Sequence, residues 1–227
     1  MDLLKVKESL KERAYRIIHK NIISCTWPPG SLLNEKELAS TVAVSRTPVR
    51  EALNRLEQEN LVRIVSQRGV FVSEITVKTI NDVYQVREIL EPFIVRLVTP
   101  IIDVEELARF DQLFESCLTS DYDQLTSLDD EFHQMIIAAC DNSYLIQMMN
   151  NIYAQNERIR ILSTRLPCRM EETIAEHREI IAAMMIRDAD KAAQAMQIHI
   201  AKSRYAAFRL STGRSGSDYM SGARLSL

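Results

Sequence analysis

The chain has 227 residues and a formal net charge of -3 at pH 7, with 46% hydrophobic and 26% charged residues. This composition is typical of a globular protein with a substantial core, and it excludes a wholly disordered chain. No apolar run approaches the roughly 20 residues of a membrane-spanning helix, and the start of the chain carries no apolar export segment. The four cysteines include no Cys-x-x-Cys pair. We therefore expect thiols in a reducing compartment, and a cytoplasmic protein.

Positive charge is concentrated at the beginning of the chain. Residues 1–76 contain 12 Lys and Arg against 9 Asp and Glu, and subtraction from the totals of 28 and 31 leaves 16 against 22 for the rest. The first part is therefore net +3 and the remainder net -6. A basic head on an acidic body suggests different partners for the two parts.

Three helices are predicted in the head. Apolar residues recur at helical spacing over 4–23, and the pattern ends before Trp27-Pro28-Pro29-Gly30, which a helix cannot cross. A short helix is predicted over 35–42. A third helix follows Ser45, a candidate N-cap, and contains Pro48 in its first turn, where proline is tolerated.

A hairpin is predicted after the third helix. Branched residues over 61–65 and 70–72 flank a four-residue polar loop that ends in Gly69. Three helices followed by a two-stranded hairpin form a winged helix-turn-helix, in which the last helix lies in the DNA major groove. The head, residues 1–76, is therefore predicted to bind double-stranded DNA.

The front of the third helix and the hairpin tip carry the candidate DNA contacts. A recognition helix inserts its N-terminal end, so side chains there reach base edges and phosphates. Arg46 offers a guanidinium fork to guanine, and Arg50 can take a phosphate or a second base. At the wing, Arg68 supplies charge and Gly69 permits a close approach. The predicted DNA-binding residues are Lys36, Ser45, Arg46, Thr47, Arg50, Arg68 and Gly69.

The body is predicted to be entirely helical. No strand-like alternation follows residue 76, and helix breaks are expected at Pro100, Asn142, Pro167 and Asp188. The fold class is therefore mainly α, with an all-α bundle of about six helices over 77–210, and a Ser/Gly-rich segment over 211–227 is predicted to be a flexible tail. The predicted helices cover 77–98, 103–118, 121–140, 143–164, 170–186 and 189–209.

Three of the four histidines lie in the body at spacings that suit a metal site. Asp129 and His133 stand at i and i+4, on one helix face. The predicted turn at Asp188 comes 11 residues after His177 and 11 before His199, which places these imidazoles at one level of an antiparallel pair. Three imidazoles and a carboxylate suit a divalent transition metal, with zinc first and nickel or manganese as alternatives. Open positions could accept water or a ligand carboxylate.

Other residues of the body remained secondary candidates. Asp130, at i+3 from His133, is a second and less favoured carboxylate. Arg158 and Arg160 could add positive charge to a cavity or form surface ion pairs. Glu176 precedes His177 and points about 100° away round the helix, so it is not a clear general base.

The head resembles a known family. The stretch PPGSLLNEKELASTVAVSRTPVREALNRLEQENLVRIVSQRGVFV contains a Pro-Gly before a first short strand, a Glu-x-Glu-Leu-Ala helix, a Ser-Arg-x-Pro-Val-Arg-Glu-Ala-Leu recognition helix and an Arg-Gly wing. It resembles the N-terminal domain of the GntR family of bacterial transcription regulators over residues 10–75. The resemblance implies operator binding as a homodimer, with matching DNA contacts at Lys36, Arg46, Thr47, Arg50 and Gly69.

The body is similar to the FCD effector domain of the FadR-type branch of that family, over about 78–209. The similar stretches are INDVYQVREILEP, DDEFHQMIIAACDNSYL and EETIAEHREIIAAMMIRDADKAAQAMQIHI. The resemblance implies that Arg87 faces a pocket where a metal helps to hold an organic acid effector. In metal-binding members an Asp-x-x-x-His pair joins two later histidines, and these positions fall on Asp129, His133, His177 and His199.

These observations predict a ligand-responsive transcription regulator, most often a repressor in such families, rather than an enzyme. Three alternatives stay open. The metal ion itself could be the signal. A metalloenzyme could be fused to a DNA-binding head, because three histidines and an aspartate can activate water. The body could also be a metal-free helical dimerisation domain.

Overall fold

The structure is a computed structural model that describes residues 8–118, 121–163 and 167–212. Over these residues the chain forms nine helices and three short strands, so the prediction of a mainly α fold is confirmed. The described residues fall into two compact units. The first unit contains residues up to 75 together with 154–161, and the second contains 76–153 and the described residues from 162 onward.

The first unit begins with three helices, as predicted: α1 (Leu10–Ile23), α2 (Glu35–Thr41) and α3 (Arg46–Gln58). Side-chain oxygens cap the first two, because Ser9 accepts from the N–H of Glu12, and Asn34 accepts from the N–H of Lys36. Each helix buries an apolar face in one core. The part of the predicted first helix before residue 8 lies outside the described residues.

A small antiparallel sheet completes the wing. Its strands are β1 (Leu32–Leu33), β2 (Val62–Val65) and β3 (Gly69–Val72), in the order β1-β3-β2. Gly69 pairs with Val65 as the first residue of β3. The predicted four-residue loop is therefore wrong by one residue, because the ladder continues to Gly69 and leaves a three-residue loop.

The second unit is helical throughout its described residues. The fifth helix of this unit already includes Pro167, ahead of its predicted start at about residue 170, and proline is tolerated in a first turn. The last helix continues past its predicted end at about residue 209 to Thr212, the last described residue. Residues 213–227 of the predicted tail lie outside the described part. The helices are α4 (Val77–Val98), α5 (Val104–Ser116), α6 (Tyr122–Ala138), α7 (Ser143–Ser163), α8 (Pro167–Met185) and α9 (Ala189–Thr212).

Residues 154–161 of α7 pack within the first unit. The side-chain amide of Gln155 donates hydrogen bonds to the carbonyls of Glu59 and Asn60, at 3.2 and 3.1 Å. These carbonyls lie just beyond the end of α3, where Asn60 has a φ of 59°. A segment from much later in the chain therefore satisfies backbone acceptors of the winged helix-turn-helix.

Helix packing in the second unit brings five helices together. Helix α9 packs against α4 and α8, while α6 contacts α4, α5 and α8. Three aromatic side chains, Phe110, Phe114 and Phe132, are fully buried and meet edge to face among these helices. None of the described helices combines the length and apolar character that a membrane-spanning helix requires.

Candidate functional site

Four side chains from three helices meet inside the second unit. Asp129 and His133 lie on α6, His177 on α8 and His199 on α9, and all four are buried. One possible ligand atom of each lies within 4.8 Å of the others. The Nε2 atom of His177 is 3.1 Å from Oδ1 of Asp129 and 3.4 Å from Nε2 of His133. The structure thus brings together the four residues that the spacing singled out.

Local structure explains this convergence. Asp129 and His133 are one turn apart on α6 and project from the same face. The turn between α8 and α9 lies at Asp188, whose side chain accepts from the N–H of Lys191 in the first turn of α9. The rings of His177 and His199 have centroids 4.4 Å apart. Equal sequence distances from the turn therefore place these two imidazoles level with each other.

Two of the histidine rings are held from behind by oxygen acceptors. The Nδ1 of His177 lies 2.7 Å from the carbonyl of Thr173, and the Nδ1 of His199 lies 2.9 Å from Oε2 of Glu176. Because a carbonyl or a carboxylate can only accept, each Nδ1 carries the proton. Each Nε2 then presents a lone pair, which is the arrangement found in metal-ligating histidines.

The third ring has a similar backing. The Nδ1 of His133 lies 2.9 Å from Oε2 of Glu91, a buried side chain on α4. The other Glu91 oxygen accepts from Nε of Arg87 at 2.6 Å. Although burial opposes the charged form, the charge of Arg87 and a hydrogen bond from His133 lower the pKa of Glu91 to about 2. An ionised carboxylate therefore faces His133 on the side away from Asp129.

The carboxylate behind His199, that of Glu176, is also ionised. Although burial opposes its charged form, hydrogen bonds from His199 and Arg169 lower the pKa of Glu176 to about 2. Burial, followed by the neighbouring His177, lowers the pKa of His199 to about 3. His199 is therefore neutral near pH 7 and its Nε2 is an acceptor. The ring of His177 is further fixed by Phe114, which stacks on it with centroids 4.6 Å apart.

The donor set fits a divalent ion. With protons fixed on Nδ1, the Nε2 atoms of His133 and His177 and the carboxylate of Asp129 are acceptors that face one another at close range. Such groups repel unless a cation lies among them. Metal–ligand bonds of about 2.0–2.2 Å place neighbouring ligands roughly 3 to 4 Å apart. The distances among Asp129, His133 and His177 are 3.1, 3.4 and 4.0 Å. Nitrogen and oxygen donors suit zinc, nickel and manganese.

The remaining body residues are placed as follows. Arg87 is buried on α4, its guanidinium 5.1 Å from the ring centroid of Tyr84 and 5.5 Å from that of Tyr153. Asp130 is not a member of the four-residue cluster. The expectation that Arg158 adds charge to the cavity is wrong, because this buried guanidinium donates to the carbonyl of Ser73 within the first unit.

Sequence reasoning missed the groups behind the histidines. Glu91 and Glu176 are separated by many residues from the rings they contact, His133 and His199. The only local signal was the position of Glu91 one turn after Arg87, which permits an i, i+4 ion pair. No sequence pattern indicated that the ring of Tyr153 would lie beside that of His133, with centroids 5.7 Å apart.

The front of α3 presents polar and basic side chains to solvent. Arg46 and Thr47 are exposed in its first turn, and buried Val49 faces the core. Ser45 occupies the N-cap position, as predicted, although its side chain makes no capping hydrogen bond. The Nε of exposed Arg50 lies 2.7 Å from Oε2 of Glu35. DNA phosphates can compete for such an exposed pair.

The wing and α2 present the other predicted contacts. Arg68 and Lys36 are exposed, as is Arg63 on β2, which the sequence analysis missed. Gly69 has a φ of +111°, and a Cβ there would lie 2.8 Å from Cδ1 of Leu32. Glycine is therefore required by the backbone and packing of the wing itself.

Comparison with known proteins decides the class of this chain. The model for bacterial regulatory proteins of the GntR family matches residues 10–72, and the FCD domain model matches residues 82–202. The protein belongs to the GntR family. It is therefore a transcription regulator with a DNA-binding winged helix-turn-helix and an FCD domain.

Named transcription regulators are similar to most of this chain. The chain is 29% identical over 201 residues to the HTH-type transcriptional repressor RspR of Escherichia coli, covering 87% of this chain and 88% of the repressor. It is 33% identical over 181 residues to the gluconate operon transcriptional repressor of Bacillus subtilis, covering 77% and 72% of the two chains. A solved GntR regulator from Rhodococcus sp. RHA1 has the same fold, with a TM-score of 0.76, 22% identity and coverage of 88% and 98%.

Proposed function

We propose that this GntR regulator is a cytoplasmic repressor that binds operator DNA as a homodimer and responds to a small organic acid held with the help of a divalent metal. The observation that carries the sensing part is the buried set of facing acceptors described above. Repressor activity is supported by two similar proteins, RspR and the gluconate operon repressor, which carry that description.

In this proposal the metal ligands are Asp129, His133, His177 and His199. The contacts behind the three rings fix the tautomers before an ion arrives, so little reorganisation is needed on binding. A bound ion supplies positive charge and open coordination positions for an oxygen of the effector. Zinc is the first candidate, followed by nickel and manganese.

Arg87 is proposed to anchor the carboxylate of the effector. Its buried guanidinium lies near the rings of Tyr84 and Tyr153. The carboxylate of Glu91 connects it to the cluster, because one oxygen contacts Arg87 and the other contacts His133. A planar guanidinium binds a carboxylate through two parallel hydrogen bonds. By linkage, the acid changes the affinity for operator DNA only to the extent that it binds the DNA-binding conformation and the other conformation with different affinities.

The DNA-binding surface is proposed to comprise the exposed front of α3, the start of α2 and the wing tip. Arg46 and Arg50 are placed to read bases and phosphates, and Arg68 to contact the backbone. Exposure of all seven predicted residues supports this assignment. They are Lys36, Ser45, Arg46, Thr47, Arg50, Arg68 and Gly69.

An apolar stripe on α4 supports the homodimer. Ile89, Phe93 and Leu97 follow one another at i, i+4 and i+8 and are 71%, 51% and 46% exposed. Exposed apolar stripes of this kind are typical of protein interfaces, and a stripe on one helix can pair with itself about a two-fold axis. Phe93→Glu should convert the dimer to a monomer in sedimentation equilibrium, whereas Tyr144→Glu, an exposed site on α7, should not. A monomeric wild type would contradict the dimer.

Thermal shift of the metal-loaded full-length protein against a panel of organic acids tests the sensing function. An effector should raise the melting temperature of the wild type and change its affinity for an operator selected from random duplexes. Neither effect should survive in His177→Ala. If no acid in a broad panel moves either quantity, the effector assignment is contradicted.

A direct metal sensor is the second candidate, favoured by one observation. The gap beside the cluster, lined by Glu91, His133, Tyr153 and apolar side chains, is too small for a water molecule. A bare ion needs less space than an acid. Operator affinity that follows free zinc at constant buffer composition, without any added acid, would support this candidate over the first.

A further inference from the structure

The cation proposed to anchor the effector is already held by a carboxylate of the chain itself. Nε of Arg87 donates to Oε1 of Glu91 at 2.6 Å, one turn away on α4, and each side chain is 3% exposed. The other oxygen of Glu91 lies 2.9 Å from Nδ1 of His133. Glu91 therefore joins the proposed effector anchor to a proposed metal ligand.

Other polar groups converge on the same carboxylate. Burial, followed by the charge of Glu91 and a hydrogen bond to it, raises the pKa of the Tyr153 hydroxyl well above its usual value. Glu91 is therefore contacted by Arg87, His133 and Tyr153, and a movement of its side chain changes the pairing of all three.

The site is also closed. Glu91, His133 and Tyr153 line the gap together with apolar side chains of α4, α6 and α9, and no water molecule fits in it. Because Oε1 of Glu91 already lies 2.6 Å from Nε of Arg87, an incoming acid cannot bind that edge of the guanidinium unless Glu91 moves. Exchange of one carboxylate for another would keep Arg87 paired throughout, which avoids a buried unpaired charge.

We propose that Glu91 is a built-in competitor that occupies the effector's place on Arg87 and thereby selects which acids bind. The inference rests on the proposed function, in which Arg87 anchors an acid. A tethered carboxylate competes at an effective concentration of about millimolar or higher. A simple monocarboxylate would make the same contact with Arg87 as Glu91 does, so replacing Glu91 brings no additional stabilisation. An acid with a second oxygen can also bind the metal at an open coordination position, which is a contact that Glu91 does not make.

Replacement of the competitor tests this selection. Glu91→Gln keeps the size of the side chain and an oxygen for Nδ1 of His133, but removes the negative charge. Zinc-loaded full-length Glu91→Gln should bind acetate at least about tenfold more tightly than the wild type, because acetate regains one charge-assisted pair with Arg87. Its melting temperature should lie below that of the wild type and recover with acetate, but not with equal sodium chloride.

A double variant serves as the matched control. Glu91→Gln with Arg87→Met has no charge at either position, so its melting temperature should not respond to acetate. Should Glu91→Gln fail to fold, Glu91→Asp, which keeps the charge on a shorter arm, should give an intermediate gain. Equal acetate binding in the wild type and the Glu91 variants, or an equal gain in the double variant, would overturn the role of Glu91.

Zinc stoichiometry separates this inference from the proposed function. One zinc per chain in both wild type and Glu91→Gln, without an acetate response, overturns the competitor alone. Absence of zinc binding in the wild type overturns the metal-assisted function. In that case the acetate response of Glu91→Gln without zinc still decides whether Glu91 shields Arg87.

Discussion

The two units of this regulator present their functional side chains in opposite ways. In the first unit, Arg46 and Thr47 are exposed at the front of α3. In the second unit, His133, His177 and His199 are buried, and each ring is held from behind by an oxygen acceptor. An exposed cation keeps its hydration until DNA arrives, whereas a buried acceptor cluster is costly without a partner.

This difference has a consequence for mutation. At the DNA surface each side chain contributes separately, so single substitutions should weaken binding without affecting folding. In the buried cluster the ligands act together, so removal of one should abolish most of the affinity. Substitutions in the two units can therefore be ranked by expected effect.

The largest effect is expected at His177. His177→Ala should weaken zinc binding by more than about a hundredfold, because loss of a mere supporting contact already costs about 10–100-fold. Competition with a chromophoric chelator measures this affinity. His19→Ala, which removes the histidine of the first unit, is the control and should leave zinc binding unchanged. Equal affinity in all three proteins would place the metal elsewhere.

Arg46→Ala should come next. Loss of a bidentate base contact costs about 1–3 kcal/mol of specific binding, while non-specific binding and the melting temperature stay close to those of the wild type. A gel shift with the selected operator measures the change. Arg109→Ala removes the same charge from the exposed surface of α5 and should not alter operator affinity. An unchanged affinity for Arg46→Ala would reject the recognition-helix assignment.

Gln155→Leu tests whether α7 is an integral part of the first unit. The variant loses two hydrogen bonds to the carbonyls after α3 and one from Arg158, so the free energy of unfolding should fall by about 2 kcal/mol. Fluorescence of Trp27, the single tryptophan, reports this unit during denaturation. Gln147→Leu, exposed on the same helix, is the control. Identical stability of both variants would contradict the packing of this segment.

The smallest effect is expected at the wing. Gly69→Ala forces a side chain into a positive-φ conformation and against Leu32, which should cost about 1 kcal/mol of stability and weaken operator binding modestly. Denaturation and gel shift measure the two quantities. Ser66→Ala, in the loop beside it, should change neither by a comparable amount. Full stability of Gly69→Ala would show that the wing relaxes without strain.

Much of the architecture was predictable because it depends on local patterns. Helical spacing and breakers placed α4 within a residue of its observed ends, and the i, i+4 relation put Asp129 and His133 on one face. The equal distances of His177 and His199 from Asp188 predicted that two helices would bring these rings together. Such relations need only the helix repeat and one turn.

The rest depends on tertiary packing, which no local pattern contains. Glu91 contacts His133 because α4 packs against α6, and Glu176 contacts His199 because α8 packs against α9. These contacts cannot be inferred from spacing along one helix. Arg158 was a candidate to add positive charge to the cavity, but its segment of α7 packs in the first unit instead. Arg50 was predicted as a DNA contact from its place on α3, but the sequence did not indicate that Glu35 of the preceding helix pairs with it.

X-ray absorption of the zinc-loaded full-length protein tests the central claim, that the buried cluster is a metal site. The spectrum should show three imidazole nitrogens with additional oxygen at about 2.0–2.1 Å and no sulfur. In His199→Ala the imidazole contribution should fall or stoichiometric zinc should disappear. Sulfur ligands, fewer imidazoles in the wild type, or failure to retain one zinc per chain would contradict the assignment.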